Sequence, residues 1–225
     1  MTDAAKATRE RVLRATVASL AAGGYAGTTA RSIAALGGFA PGVIYYHFAD
    51  LDELFVATVQ YTSAERETRY RAAVLDVTSA VTLVERLREL YAQDTDSGHI
   101  EAVQELVAAA RPGSALAAEV SAQTQRWEQL AEQVLRTLLR GSPLARLVKV
   151  PVIARAAVAY YVGLQTLTHL DRDAERPRAA FAQAARLASA FDKLPKLRPS
   201  ARAGARGRDR AGARDRDRDR EAPTG

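Results

Sequence analysis

The side chains best suited to binding chemistry lie in one short segment, residues 41–48, which reads PGVIYYHF. Three consecutive rings with hydrogen-bonding tips, Tyr45, Tyr46 and His47, follow residues of little bulk. A helix that is slim at its start and carries polar ring tips towards its end fits a DNA major groove, which is about 12 Å wide. Small residues near base edges and ring tips near phosphates are the expected arrangement. The slim start consists of Pro41, Gly42 and Val43.

The same rings have a simpler interpretation as core, since aromatic residues at helical spacing are usually buried. Ile44 and Phe48 are four positions apart and predict one buried edge for this short helix. Consecutive residues of a helix point about 100° apart, so Tyr45 and Tyr46 cannot both share that edge. We expect Phe48 in the core and both tyrosines outside it.

Glycine and threonine residues mark the elements that hold this helix. Gly23 and Gly24 are expected to end a first helix over residues 3–22, and Thr28 or Thr29 to cap a second. Gly37 and Gly38 then permit a tight reversal before the segment described above. The spacing predicts two inward-facing sets: Val12, Leu13, Thr16, Val17 and Leu20 on the first helix, and Ile33, Ala34 and Leu36 on the second.

Residues 24–54 as a whole resemble the N-terminal domain of the TetR family of transcriptional regulators. The resemblance rests on Gly24-Tyr25, the two threonines, Ile33-Ala34, Gly38, the run from Tyr45 to Phe48, and the acidic helix start at Asp50. The chain departs from the family at Ala40, where Ser or Thr is usual, and at Leu51, where Lys is usual. The resemblance implies phosphate contacts by Thr28, Thr29, Tyr45 and His47, and base-edge positions for Pro41, Gly42, Val43 and Tyr46.

Charge gives limited support to DNA binding. The net charge is +6, but residues 195–225 hold ten basic against five acidic groups, which leaves the rest of the chain at only +1. Residues 1–50 carry five basic and three acidic groups, a slight excess in the expected place. The basic side chains available to face phosphates are Lys6, Arg9, Arg11, Arg14 and Arg31.

The composition argues against several other classes. The chain has no cysteine, so it cannot form a disulfide, a thiolate metal site or a cysteine nucleophile. It lacks a nucleotide-binding glycine loop and any serine or carboxylate pair beside a histidine at motif spacing, so we assign no catalytic residue, cofactor or metal and do not expect an enzyme. Arg155 interrupts the most apolar stretch, and we expect a soluble, cytoplasmic protein without a membrane span.

The predicted fold is all-α. We expect a three-helix helix-turn-helix DNA-binding domain over residues 6–66, including the start of a connecting helix, and a helical ligand-binding and dimerisation domain over residues 67–194. Residues 195–225 contain RDRDRDR and form a charged tail with too few apolar residues to fold. Further helices are predicted over 81–93, 100–110 and 115–140, and two more within 150–194.

The second domain is expected to bind a small-molecule effector and a second copy of the chain. Helices of residues 150–194, rich in small side chains, suit the homodimer interface that the resemblance implies, although both helices also fit an internal core. Each candidate pocket residue can also be explained as an ordinary packing residue of a helical core. These residues are Tyr91, His99, Gln104, Trp127, Tyr161, Gln165 and His169.

The leading functional hypothesis is a ligand-responsive regulator, a repressor released from a palindromic double-stranded DNA operator by a small molecule. The resemblance implies that the connecting helix moves when ligand binds. An architectural, nonspecific DNA-binding protein without a ligand is the alternative, and an enzyme is the less supported third. The charged tail fits either a basic arm that adds DNA affinity or a plain solvated segment.

Overall fold

The computed structural model describes residues 3–194, and this part of the chain is helical without a strand. The all-α prediction is therefore confirmed, whereas the predicted charged tail lies outside the described residues. The helices are α1 (Asp3–Gly27), α2 (Ala30–Gly37), α3 (Gly42–His47), α4 (Leu51–Val74), α5 (Ala80–Asp96), α6 (His99–Ala109), α7 (Ala115–Leu138), a 3₁₀ turn (Pro143–Arg146), α8 (Val150–Asp171) and α9 (Glu175–Asp192).

Helices α1 to α3 pack on the start of α4 around one apolar core. Val12, Ile33, Ile44 and Leu54, one from each of these helices, have no exposed surface. The inward edge predicted for α1 is confirmed, but Leu36 is 55% exposed and its predicted burial is wrong. Ala34 already faces the core, and Leu36, two positions later, points about 160° away from it around the helix.

The glycines interrupt α1 where the sequence predicts, and only a short helical stretch follows the break. Gly24 has φ 68 and ψ −179, and helical structure resumes up to Gly27. The predicted break at Gly23-Gly24 is therefore confirmed. Glycine is favoured here because a side chain is strained at such a positive φ.

The predicted caps of α2 are confirmed, and the structure identifies Thr29 as the N-cap. The Thr29 hydroxyl accepts the Ser32 N–H at 3.1 Å, and the Ser32 hydroxyl accepts the Thr29 N–H at 2.8 Å. Gly38 closes α2 in the left-handed conformation, at φ 64 and ψ 42. These reciprocal bonds fix the start of α2, and so the angle at which the helix-turn-helix leaves α1.

Helix α4 runs without interruption from the N-terminal core into the C-terminal helices. Asp50 caps it by accepting the Glu53 N–H at 2.8 Å. Its second half packs against α5 and α7 through Tyr70 and Val74. The structure thus contains the predicted connecting helix, while the predicted domain boundaries at residues 66 and 194 remain a prediction.

A third apolar cluster joins the N-terminal helices to α6. Val17 and Leu20 of α1 pack with Ala102 and Leu106 of α6, and neither α6 residue has any exposed surface. Phe55 and Val59 of α4 complete the cluster. Because this contact is apolar, burial of these side chains holds α1 against α6.

Helix α8 is the most apolar of the described helices by its composition and is poorly covered. By length and composition alone it is able to cross a membrane, so Arg155 does not shorten the apolar stretch as predicted. Only 17% of its most apolar window is buried, and such a helix by itself is weak grounds for a membrane span. Large apolar side chains exposed on α8 are Val152, Ile153, Tyr160, Leu167 and Leu170, and Leu187 is exposed on α9.

Candidate nucleic-acid interface

Helix α3 has one buried edge and a broad exposed one. Ile44 is fully buried and Phe48, its C-cap, is 2% exposed, as predicted. Tyr46 is 81% exposed and Tyr45 54%, so the interpretation of these two rings as core is wrong. The helix is therefore held by its inner edge and presents tyrosine hydroxyls to solvent.

The residues at the start of α3 leave its outer surface slim. Pro41 and Gly42 are exposed, and Val43 is half-buried against the N-terminal core. His47 is also half-buried, and its ring meets Tyr46 edge to face with centroids 5.0 Å apart. The predicted base-edge and phosphate residues of α3 thus form one continuous surface, while the DNA contact of each residue remains a prediction.

The two threonines before α2 differ in environment. Thr29 is exposed, whereas Thr28 is 5% exposed. The Thr28 hydroxyl donates to the Gly24 carbonyl at 2.8 Å and accepts from the Ser19 hydroxyl at 3.2 Å. Thr28 therefore holds the junction between α1 and α2 together, and Thr29 is the more accessible of the two.

Basic side chains of α1 stack on the two phenylalanines that flank α3. The Arg9 guanidinium lies 4.9 Å from the centroid of the Phe48 ring, and Arg11 lies 5.4 Å from that of Phe39. Stacking on these rings orders the two long side chains without neutralising their charge. Arg31 on α2 is exposed as well. The surface thus combines slim backbone, hydroxyl tips and positive charge, the combination that double-stranded DNA requires.

Three of the predicted effector residues lie in one aromatic region between α4, α5, α7, α8 and α9. The Tyr91 ring packs edge to face on Tyr161, with centroids 5.9 Å apart, and on Phe181 at 5.5 Å. The Tyr161 hydroxyl is 2.7 Å from the Tyr70 hydroxyl, and Trp127 packs on the Tyr70 ring at 5.0 Å. Burial raises the pKa of Tyr161 to about 12 and also raises the pKa of Tyr91, so both hydroxyls stay protonated.

The two predicted glutamines are buried, Gln104 at the contact of α6 with α8 and Gln165 on α8. Gln104 is buried, and its amide oxygen accepts the Thr166 hydroxyl at 2.7 Å. Gln165 is 3% exposed, and its amide nitrogen has no hydrogen-bond partner among residues 3–194. A buried donor without an acceptor carries a free-energy cost, which a ligand oxygen would remove.

The two predicted histidines lie apart from each other, each beside a glutamate. His169 Nε2 is 3.1 Å from Glu105 Oε1, and His99 Nε2 is 3.5 Å from Glu65 Oε2. Burial lowers the pKa of His99, although the Glu65 charge opposes that effect. His99 lines an open cleft of 490 Å³ together with Glu65, Thr68, Arg69 and Ser97, and this cleft contains none of the other predicted effector residues.

A buried ion-pair network between α4 and α5 was not expected from the sequence. Asp94 has no exposed surface and accepts from Arg66 Nε at 2.7 Å, from an Arg69 guanidinium nitrogen at 2.6 Å and from the Tyr70 hydroxyl at 3.0 Å. Burial is the largest single effect on Arg66 and lowers its pKa, but the Asp94 charge, the two neighbouring tyrosines and the hydrogen bond to Asp94 together raise the pKa of the guanidinium. Arg66 lies in a charged run of α4, residues 65–71, whose helical spacing does not indicate which charge will be buried.

Comparison with known proteins agrees with this geometry. Residues 12–58 match the family described as bacterial regulatory proteins, tetR family. The matched residues span the helix-turn-helix and its supporting helices, from the middle of α1 to the first two turns of α4. No curated protein sequence matches the chain at a significant level.

Solved structures of regulators share the whole fold. A member of the TetR family from Streptomyces coelicolor A3 is 25% identical, with a TM-score of 0.60 over 84% of this chain and 98% of the other. FadR from Bacillus subtilis, solved with stearoyl-CoA, is 13% identical, with a TM-score of 0.67 over 82% and 97%. FadR from Bacillus halodurans is 16% identical, with a TM-score of 0.66 over 80% and 93%.

Proposed function

We propose, on the premise that this chain is a TetR-family transcriptional regulator, that it is a dimeric repressor which a small molecule releases from a palindromic operator. The observation that carries the proposal is the exposed edge of α3, with Tyr46 81% exposed above a buried Ile44. That edge is the recognition surface, and Pro41, Gly42, Val43 and Tyr46 lie against base edges. Thr29, Arg31, Tyr45 and His47 serve the flanking phosphates, while the buried Thr28 holds the α1 to α2 junction behind them.

The uncovered apolar residues of α8 and α9 support a homodimer. Six large apolar side chains on the two helices are between 42% and 72% exposed, and a second copy of the same face would cover them. Two recognition helices related by a two-fold axis would read half-sites about 34 to 36 Å apart, or a multiple of that distance. A palindromic operator follows from that symmetry.

The effector site is proposed between α6, α8 and the aromatic region around Tyr91 and Tyr161. The unpartnered amide nitrogen of Gln165 supports this placement, because a ligand acceptor would satisfy it. The Bacillus subtilis relative was solved with stearoyl-CoA, which supports small-molecule control on this fold. We further propose that the protein is cytoplasmic and is not an enzyme, because its proposed role is to bind DNA. Any coupling between effector and operator is reciprocal, so operator DNA weakens effector binding by the same factor.

The test is binding of the full chain to its own upstream DNA and to scrambled DNA, measured by fluorescence anisotropy at near-physiological salt. We expect Tyr46→Ala to weaken binding to the upstream DNA by about 10- to 100-fold, the scale of one lost base contact. Its thermal unfolding should match the wild type, since Tyr46 is 81% exposed. Equal affinity of the wild type for both DNAs, or equal affinity of wild type and variant, contradicts the proposal.

Deletion of residues 195–225 separates this proposal from an architectural, nonspecific DNA-binding protein. The deleted segment carries ten basic against five acidic groups, the largest local charge excess in the chain. If α3 reads the operator, preference for upstream over scrambled DNA should survive the deletion within about threefold. If the tail supplied the binding, its deletion would instead weaken binding to both DNAs alike and make that binding less dependent on salt. A loss of sequence preference on deletion contradicts the recognition role of α3.

A further inference from the structure

One side chain of α6 contacts both α1 and α8. The Glu105 carboxylate accepts the Tyr25 backbone N–H through Oε2 at 2.7 Å. Its other oxygen, Oε1, is 3.1 Å from His169 Nε2 on α8. The glutamate and histidine side chains are each 27% exposed, so solvent only partly screens the contact.

The α1 contact lies where the helix-turn-helix leaves α1. Gly24, with φ 68, breaks the helix just before Tyr25, and a Cβ placed on Gly24 would lie 3.0 Å from Glu105 Oε2. Thr28 and Thr29, which fix the start of α2, follow within four residues of this bond. A charge-assisted bond at this point therefore sets where α2 begins relative to α6.

A second close contact between α1 and α6 lies at Gly98. Gly98, the N-cap of α6, lies beside α1, and a Cβ placed on it would be 3.2 Å from the Ala21 Cβ. The fully buried Ala102 and Leu106 pack on α1 between and beyond these points. Since apolar packing is weakly directional, the Glu105 bond is the directional part of this junction.

We propose that Glu105 is a positioning residue for operator binding, holding the α1 to α2 junction in a place that depends on α8. This proposal rests on the proposed function, because α8 carries the dimer face and the effector contacts. His169 orients the carboxylate from the α8 side, and the carboxylate orients Tyr25. A shift of α8 thus reaches the recognition helix through two hydrogen bonds and one side chain.

Hydrogen exchange of the Tyr25 amide tests the contact directly, in the full-length chain without DNA. Glu105→Ala removes the acceptor and should speed exchange at Tyr25 about tenfold or more, whereas Glu105→Gln keeps an acceptor oxygen and should restore most of the protection. The matched control is Thr166→Val, which breaks the neighbouring α6 to α8 bond at Gln104 and leaves Glu105 intact. Unchanged exchange in Glu105→Ala overturns the proposal.

The dependence on α8 is tested with a double-mutant cycle. His169→Ala does not touch α1, yet it should speed Tyr25 exchange, and it should add nothing in the Glu105→Ala background. A purely structural Glu105 would instead give additive effects. Additivity, or no effect of His169→Ala, overturns the role of α8.

Operator binding provides the functional readout. Glu105→Ala should weaken binding to the upstream DNA about tenfold, Glu105→Gln by less, and Thr166→Val by less than twofold. If the wild type prefers upstream DNA and Glu105→Ala binds it equally well, this inference fails while the proposed function stands. If the wild type shows no preference for that DNA, the proposed function fails, and the exchange cycle still decides the contact.

Discussion

Asp94→Ala is expected to lower the free energy of unfolding by about 3 to 5 kcal/mol, because it leaves a buried guanidinium without its carboxylate. Asp94 has no exposed surface, and the Arg66 side chain that it binds is only 8% exposed. Arg69 and the Tyr70 hydroxyl lose the same acceptor. Urea unfolding followed by circular dichroism gives the difference, and a loss below about 1 kcal/mol contradicts the prediction.

Two controls separate the buried charge from other effects. Asp96→Ala, two residues further along α5, removes an exposed carboxylate and should change stability by no more than about 0.5 kcal/mol. The double variant Arg66→Met and Asp94→Leu removes both charges with little change in volume and should recover most of the lost stability. If the double variant is as unstable as Asp94→Ala, the unpaired Arg66 charge is not the cause.

The second large effect is expected from acidic residues on the exposed apolar face of α8 and α9. Tyr160→Glu combined with Leu187→Glu places like charges on a face where both side chains are 64% exposed. Since two copies meet there in the proposed dimer, the charges should make the protein monomeric. Analytical ultracentrifugation should then report the chain mass of 24.2 kDa in place of twice that value.

Loss of the dimer should weaken operator binding at least about 100-fold, because a monomer binds each half-site alone and loses the effective concentration of its linked partner. Leu75→Glu is the matched control, since Leu75 is 40% exposed at the end of α4, outside α8 and α9. It should leave mass and affinity unchanged. A double variant that stays dimeric places the interface elsewhere, and a wild type that is already monomeric contradicts the proposed dimer.

The recognition helix and its scaffold were predictable because their signals are local. Ile44 and Phe48 repeat at the helical period, and helix geometry alone then forces Tyr45 and Tyr46 off the buried edge. Gly38 and Thr29 are residues that turns and caps select for backbone reasons that operate within a few positions. The same reasoning failed at Leu36, because neighbouring helices decided how much of α2 was covered.

The charged contacts between helices were not predictable from the same patterns. In the sequence, Arg66 and Asp94 are ordinary charged residues within predicted helices. The hydrogen-bond partners of Glu105, His169 and Tyr25, lie 64 and 80 positions away from it. Helical periodicity identifies an apolar edge, but it carries no information about which distant side chain will face a given carboxylate.

By itself, therefore, the sequence determined the helical class, the helix-turn-helix and the outward tyrosines of this protein, since local backbone preferences and hydrophobic spacing set them. Only the tertiary structure decided that Asp94 is buried against two arginines, that Glu105 joins α1 to α8, and that α8 keeps an uncovered apolar face. Burial of a charge or a helix face depends on which elements dock against it, and docking is decided by contacts between residues far apart in the chain.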